Sequence, residues 1–148
     1  MINKVIICTL LMLVTSFCFS QDWIKNINEA KELAMKNDKP ILLVFSGSDW
    51  CAPCMKLEKQ VFSTEEFRQY ATENYVLLKA DFPQRKKNKL PEAQQTHNNQ
   101  LAEEYNKNGF FPLVVVLNSK GKSLGSIGYE KVSANNYIEK INKFVKQI

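Results

Sequence analysis

Two cysteines separated by two residues are the part of this chain with the clearest chemical potential. They are Cys51 and Cys54, in the stretch SGSDWCAPCMKLE that runs from Ser46 to Glu58. A pair with this spacing can form a structural disulfide, supply half of a metal site, or alternate between thiol and disulfide as a redox centre. The rest of the chain has to distinguish these three possibilities.

The other two cysteines lie in an N-terminal segment that has the features of an export signal. Residues 1–20 carry one charge, Lys4, followed by an apolar run and then by smaller residues. This order is typical of a secretory signal peptide, and the run is shorter than the roughly 20 residues that span a bilayer. We expect cleavage after Ser20, which leaves residues 21–148 as an exported, periplasmic domain. The alternative is a lipid anchor at Cys18. The preceding residues TSF are a poor match to the Leu-x-small pattern that usually precedes a lipidated cysteine.

Without that segment, fewer of the three roles remain open for Cys51 and Cys54. The mature chain keeps two cysteines and one histidine, His97. A structural zinc takes four ligands, mostly Cys and His, so we expect no metal site. A structural disulfide stays open as an alternative, since disulfides persist in exported proteins. However, closing so short a loop contributes only about 2 kcal/mol, and a domain of this length can bury an adequate core without it. The favoured interpretation is a redox centre.

Composition predicts one domain with a modest basic excess. The net charge is +5, which becomes +4 when Lys4 leaves with the signal, and no Pro/Gly/Ser-rich linker or repeat divides the chain. The basic run RKKNK at 85–89 could mark a nucleic-acid or membrane surface. It lacks interleaved aromatic residues, so a solvated loop is favoured. We expect no nucleic-acid partner, and a monomer.

Hydrophobic patterns around the cysteines predict an α/β domain. A helical pattern precedes a continuous apolar run that is typical of a strand covered on both faces. The predicted order is helix, strand, helix, strand, helix, two strands and helix. The segments are 22–37, 41–45, the region after Cys51 with a restart at Ser63, 75–82, 92–109, 112–129 and 133–148. Early alternation calls for parallel strands, and the late hairpin adds antiparallel ones.

Several local details follow from the same patterns. Trp23 is expected on the buried stripe of the first helix, and Met55 on the inner side of the helix that follows the cysteines. Ser63, with Glu66 three residues later, has the pattern of a capping box. Gly109 is expected to close the polar helix.

Two motifs of this chain, one around the cysteines and one around Pro112, resemble those of a known protein family. Trp50-Cys51-Ala52-Pro53-Cys54 directly after a buried strand resembles the active-site turn of thioredoxin-like proteins. A second signature is GFFP, in which Pro112 opens the strand after the polar helix. The resemblance covers nearly all of the mature chain. Within the family, DWCAPCMKLEKQVF is most similar to exported bacterial thiol carriers, including the C-terminal domain of DsbD.

The resemblance implies a fold and an activity. The fold is a thioredoxin-like central mixed β-sheet flanked by helices, and the activity is thiol–disulfide exchange with no cofactor beyond the Cys51–Cys54 disulfide. Cys51 at a helix start would be the exposed nucleophile, since free N–H groups and the helix dipole favour its thiolate. Cys54 would be more buried and would resolve the mixed disulfide. Pro53 suits the first helical turn, where no N–H is required, and Trp50 belongs to the family's motif.

The resemblance also implies a substrate groove at Phe111 and Pro112. In the family, the matching X–Pro bond is cis and lies beside the cysteines. The groove would leave neighbouring backbone free to pair with an extended peptide. The plain alternative is an ordinary proline at the start of a strand.

The chain departs from the family pattern in two places. Thioredoxins carry a buried carboxylate on the strand before the active site, where this chain has Val44 and Phe45. Glu58 matches a glutamate of the DsbD-like domain and either handles the Cys54 proton or is an exposed helix residue. The stretch 83–111 is longer than in a minimal thioredoxin, either as a partner surface or as a longer loop.

The expected partners are protein thiols and disulfides, with a membrane-bound electron donor outside this chain. Ala-Pro between the cysteines lacks the histidine that favours the thiolate in strongly oxidising relatives, so the leading direction is reduction. The alternatives are an oxidase or isomerase, and a redox-silent peptide-binding module.

Overall fold

The computed structural model describes residues 23–146 as five α-helices and a four-stranded sheet. The helices are α1 (Ile27–Asn37), α2 (Ala52–Leu57), α3 (Glu65–Asn74), α4 (Glu92–Tyr105) and α5 (Ala134–Val145), and the strands are β1 (Ile41–Ser46), β2 (Val76–Asp81), β3 (Leu113–Leu117) and β4 (Ser123–Ile127). A π-helical turn (Glu58–Phe62) continues α2, and a 3-10 turn (Lys86–Asn88) precedes α4. The predicted element order is confirmed, and the expected signal peptide lies outside the described residues.

The sheet has the order β2-β1-β3-β4, so β1 lies inside it. β1 runs parallel to β2, from Ile41 opposite Val76 to Ser46 opposite Asp81. It runs antiparallel to β3, which pairs antiparallel with β4. The predicted mixed sheet is therefore confirmed. This register brings Ser46 and Asp81 to the same edge, where the chain enters the cysteine segment.

Each face of the sheet carries its own core because the side chains of β1 alternate between the faces. Leu42 and Val44 pack with buried residues of α2, the π-helical turn, α3 and α5. Ile41, Leu43 and Phe45 pack with buried residues of α1 and α4 on the opposite face. Burial on both faces explains why β1 is a continuous apolar run in the sequence.

The first helix begins later than predicted. Asn26 is its N-cap, and its side-chain oxygen accepts backbone N–H groups of the first turn. Trp23 lies outside α1, and its ring packs edge-on against Phe62 with centroids 5.3 Å apart. The prediction that Trp23 shares the buried stripe of α1 is therefore wrong. The reason is a parallel bridge between Ile24 and Leu78, which holds this segment extended beside β2.

Three other local predictions are also corrected. Thr64, and not Ser63, caps α3, since the Thr64 hydroxyl accepts a backbone N–H of the first turn. Met55 is 46% exposed because Leu57 takes the inward position of that turn. α4 has already ended when the chain reaches Gly109, whose φ of 65° belongs to the loop that follows. No helix within residues 23–146 is long and apolar enough to cross a membrane.

Candidate active site

The cysteine pair lies at the start of α2, directly after the turn that follows β1. Cys51 is the N-cap of α2, and its backbone N–H donates to the Gly47 carbonyl at 2.9 Å. Its sulfur accepts the backbone N–H of Cys54 at 3.3 Å. Pro53 lies in the first helical turn, as predicted. The two sulfurs form a disulfide with an S–S distance of 2.10 Å and a Cα–Cα distance of 5.2 Å.

Burial does not distinguish the two cysteines in this disulfide form. Cys51 is 4% exposed and Cys54 is 5% exposed. The prediction that Cys51 is exposed and Cys54 more buried is therefore wrong for the oxidised chain. The physical reason is the bond itself, because each sulfur covers the other. What distinguishes them is position, since Cys51 caps the helix and Cys54 lies one turn inside it.

Trp50 connects the cysteines to the predicted groove. It is 39% exposed, and its indole N–H donates to the Phe82 carbonyl at 2.7 Å. Its ring meets that of Phe111 edge-on, with centroids 5.4 Å apart. Gly47 lies under the indole, where an added Cβ would approach ring atoms Cζ2 and Nε1 to 2.6 Å. A glycine at this position is therefore required for the packing of Trp50.

Two aspartates that the sequence interpretation missed hold the turn before Cys51. Asp81, at the end of β2, accepts the backbone N–H of Ser48 at 2.9 Å and also bonds its hydroxyl. Asp49 accepts the backbone N–H of Gln84 at 2.9 Å, and its other bonds tie the same segment to the turn. The hydrogen bond from Gln84, followed by that from the Asn88 amide, holds the pKa of Asp49 below its ordinary 3.8. The feature of the sequence that could have identified them is their position, since Asp81 ends a strand and Asp49 lies in a turn, where Asp side chains commonly bond the backbone.

The predicted groove residues lie beside this turn. The Phe111–Pro112 peptide bond is cis, as the family resemblance implied. Asn106 is 5% exposed, and its side chain bonds both the N–H and the carbonyl of Phe110, at 2.9 and 2.8 Å. Asn106 therefore fixes the loop that carries Phe111, and sequence reasoning did not single it out. Gly128 lies close to the Pro112 carbonyl.

Glu58 shares a cavity with Cys54. The cavity has a volume of about 350 Å³, and Lys79 also lines it. A Glu58 oxygen pairs with the Lys79 ammonium at 3.1 Å, and the other oxygen accepts the Ser63 hydroxyl at 3.2 Å. At the strand positions where thioredoxins carry a carboxylate, Val44 and Phe45 are almost fully buried. The carboxylate that lines the cavity with Cys54 is therefore that of Glu58, at the end of α2.

The described part of the chain shows no cluster of three or more His, Cys, Asp or Glu side chains that could hold a metal ion. The one histidine, His97, accepts the backbone N–H of Ile27 at 3.2 Å and so serves the start of α1.

Comparisons with known proteins agree with this architecture. A family model described as thioredoxin-like matches residues 22–119. The disulfide bond reductase DsbH of Chlamydia pneumoniae is 36% identical over 118 residues, which cover 80% of this chain and 69% of that protein. The thiol:disulfide interchange protein DsbD of Campylobacter jejuni is 32% identical over 82% of this chain, but the match spans only 19% of DsbD.

Solved structures give the same result. A structure described as DsbH oxidoreductase superposes with a TM-score of 0.79 and 34% identity, covering 86% of this chain and 85% of that one. The reduced C-terminal domain of DsbD from Neisseria meningitidis gives a TM-score of 0.52 and 28% identity, over 79% and 92% of the two chains. This chain belongs to the thioredoxin-like family, and with its Cys51–Cys54 pair it is a thiol–disulfide oxidoreductase.

Proposed function

We propose that this oxidoreductase is exported and reduces disulfides in client proteins. The observation that carries the proposal is the position of Cys51, whose sulfur caps α2 and accepts a backbone N–H. A thiolate at this position gains from the free N–H groups and the positive end of the helix dipole. The direction is supported by the similarity over most of both chains to a protein named disulfide bond reductase.

The proposed reaction transfers two electrons to the client in two exchanges. The Cys51 thiolate attacks one client sulfur, so a Cys51–client bond forms, the client S–S bond breaks and the first client thiolate leaves. The Cys54 thiolate then attacks the Cys51 sulfur and expels the second client thiolate. Both client thiolates take up protons, and the protein ends as the Cys51–Cys54 disulfide. A dithiol donor, which we expect to be a membrane protein, returns the two electrons.

Two further roles complete the proposal. Glu58 accepts the Cys54 proton as the second exchange begins, since both groups line one cavity. Phe111 and Pro112 bind the extended client segment, with Trp50 closing the groove on the side of Cys51. Export would follow from residues 1–20 acting as a cleaved signal peptide, which leaves the domain in the periplasm.

The direction is tested by redox equilibration of residues 21–148 with glutathione, followed by an insulin-reduction assay with a dithiol donor. We expect turnover, and a potential in the lower half of the range from about −270 to −120 mV seen in related proteins. A potential near the upper limit would identify an oxidase instead. A cysteine pair that neither equilibrates with glutathione nor reduces insulin would identify a redox-silent peptide-binding module.

The roles of the two cysteines are tested with serine variants. Cys54→Ser leaves the first exchange intact and removes the second, so it should accumulate mixed disulfides with proteins of a cell-envelope extract. Cys51→Ser removes the attacking sulfur and should accumulate none, which makes it the matched control. Equal trapping by both variants would contradict the assignment of Cys51 as the nucleophile.

A further inference from the structure

A basic turn at residues 85–89 lies at the edge of the active-site segment. Four of its five residues are cations, namely Arg85, Lys86, Lys87 and Lys89, and all four are exposed. Within residues 23–146, none of these side chains forms an ion pair with a carboxylate. In the described part of the molecule, the carboxylate bonded to this turn is that of Asp49, and the remaining positive charge of the turn faces solvent.

The basic turn is held in one place by Asp49. Its carboxylate accepts the Arg85 N–H at 3.0 Å and the Asn88 amide at 2.8 Å, besides the Gln84 N–H. The turn itself closes with a bond from the Lys89 N–H to the Lys86 carbonyl at 3.2 Å. A surface fixed in advance loses less conformational entropy when a partner binds. This anchoring distinguishes the turn from a freely solvated loop.

The same anchor sets the distance between the basic turn and the cysteines. Asp49 stands two residues before Cys51, so their Cα atoms are at most about 7.6 Å apart. Adding the Asp49 side chain and its 3.0 Å bond to Arg85 brings the Arg85 backbone nitrogen, where the turn begins, to within about 15 Å of the Cys51 Cα atom. Four or five residues of extended peptide span that distance. Trp50 bridges the gap, since its indole bonds Phe82 at the start of this segment.

We propose that the basic turn binds an acidic segment of the client polypeptide, four or five residues from the client cysteine. The proposal rests on the proposed function, because the client is the protein whose disulfide Cys51 attacks. Charge complementarity identifies the partner as acidic. The continuity of the turn with Trp50 and Phe111 identifies it as a polypeptide, since one extended chain can contact the cysteines, the aromatic rings and the turn together.

Two disulfide peptides of one sequence, with Glu or Gln at the fourth and fifth positions from each cysteine, test the proposal. Reduced protein should reduce the Glu peptide about tenfold faster at about 10 mM salt, where the Debye length is about 30 Å. The preference should vanish at about 1 M salt, where that length is about 3 Å. The triple variant K86Q/K87Q/K89Q removes three of the four cations and should lose the preference. It keeps Arg85, Asn88 and their bonds to Asp49, so the turn should stay in place.

The matched control is K36Q/K143Q/K146Q, which removes equal charge near the opposite end of β1. All three of its lysines are exposed, and Lys146 lines a cavity with Pro40, the residue before β1. This control should keep the full preference for the Glu peptide. A preference that survives in the basic-turn variant, or that is lost equally in the control, would overturn the proposal.

Two further measurements separate this proposal from the proposed function. Reduction of neutral hydroxyethyl disulfide should be equal in all three proteins and reports the redox activity alone. Binding of a labelled Glu peptide without cysteines to the oxidised protein reports the basic turn alone, and should weaken in K86Q/K87Q/K89Q. Absent reduction with this binding intact would refute only the proposed function. Binding to vesicles of acidic phospholipid without any preference between the peptides would overturn the acidic-client assignment.

Discussion

Replacing Gly47 with alanine should destabilise the protein through Trp50. The new Cβ would meet indole atoms Cζ2 and Nε1 at 2.6 Å, which forces the ring to move. That movement breaks the bond to the Phe82 carbonyl, worth about 0.5–1.5 kcal/mol, and the edge contact with Phe111, worth a similar amount. The expected loss in the free energy of unfolding is about 1–3 kcal/mol, and the exposure of Trp50 favours the lower half.

A double-mutant cycle isolates this mechanism. The φ of Gly47 lies outside the left-handed region, so alanine itself is not strained there. In a Trp50→Ala background the same Gly47→Ala change should therefore be neutral, or stabilising by about 0.4–1 kcal/mol. Urea unfolding of the four oxidised proteins, followed by circular dichroism, measures the coupling free energy. An equal loss in both backgrounds would refute the reasoning.

Two other predictions concern carboxylates near the cysteines. Folding lowers the pKa of Asp49, so its contribution to the free energy of unfolding is complete above pH 3.8 and is lost as the pH falls through the folded-state pKa. Urea unfolding across about pH 5 to 3 should therefore show a smaller acid-induced loss of stability in Asp49→Asn than in the wild type. Equal losses in the two proteins would contradict this role of Asp49. Glu58→Gln should slow the release of clients from mixed disulfides and change its pH profile, whereas the exposed Glu66→Gln should do neither.

The sequence predicted the sheet and the cysteine position because these depend on strong local signals. The continuous apolar run at 41–45 specifies a strand buried on both faces, and it becomes the inner strand β1. The cysteines follow that strand directly, so its end determines where they lie. The cis bond before Pro112 was implied by the family resemblance and not by the residues themselves.

The missed features depend on contacts between distant segments. Asp49 binds a segment some 35 residues further on, and Asp81 returns to Ser48 from the end of β2. Trp23 is held outside α1 by the bridge between Ile24 and Leu78, although its spacing in the sequence fits a helix. A local pattern carries no information about such pairings, so a polar residue in a turn could be identified only as a turn former. The burial of Cys51 was missed for a different reason, because the prediction concerned the free thiolate and the structure contains the disulfide.

The position of Glu58 determines how a proton could leave Cys54. A carboxylate at position 45 would lie in the core between the sheet and helices α1 and α4, where an unpaired charge is costly to desolvate. Glu58 instead reaches the Cys54 cavity from the helix, with its side chain 44% exposed and paired with Lys79. Under the proposed role of Glu58, the core needs no buried charge, and a proton taken up by this half-exposed carboxylate can pass directly to water. If this is correct, Glu58→Gln should slow the second exchange while leaving the first exchange, attack by Cys51, unchanged in single-turnover measurements.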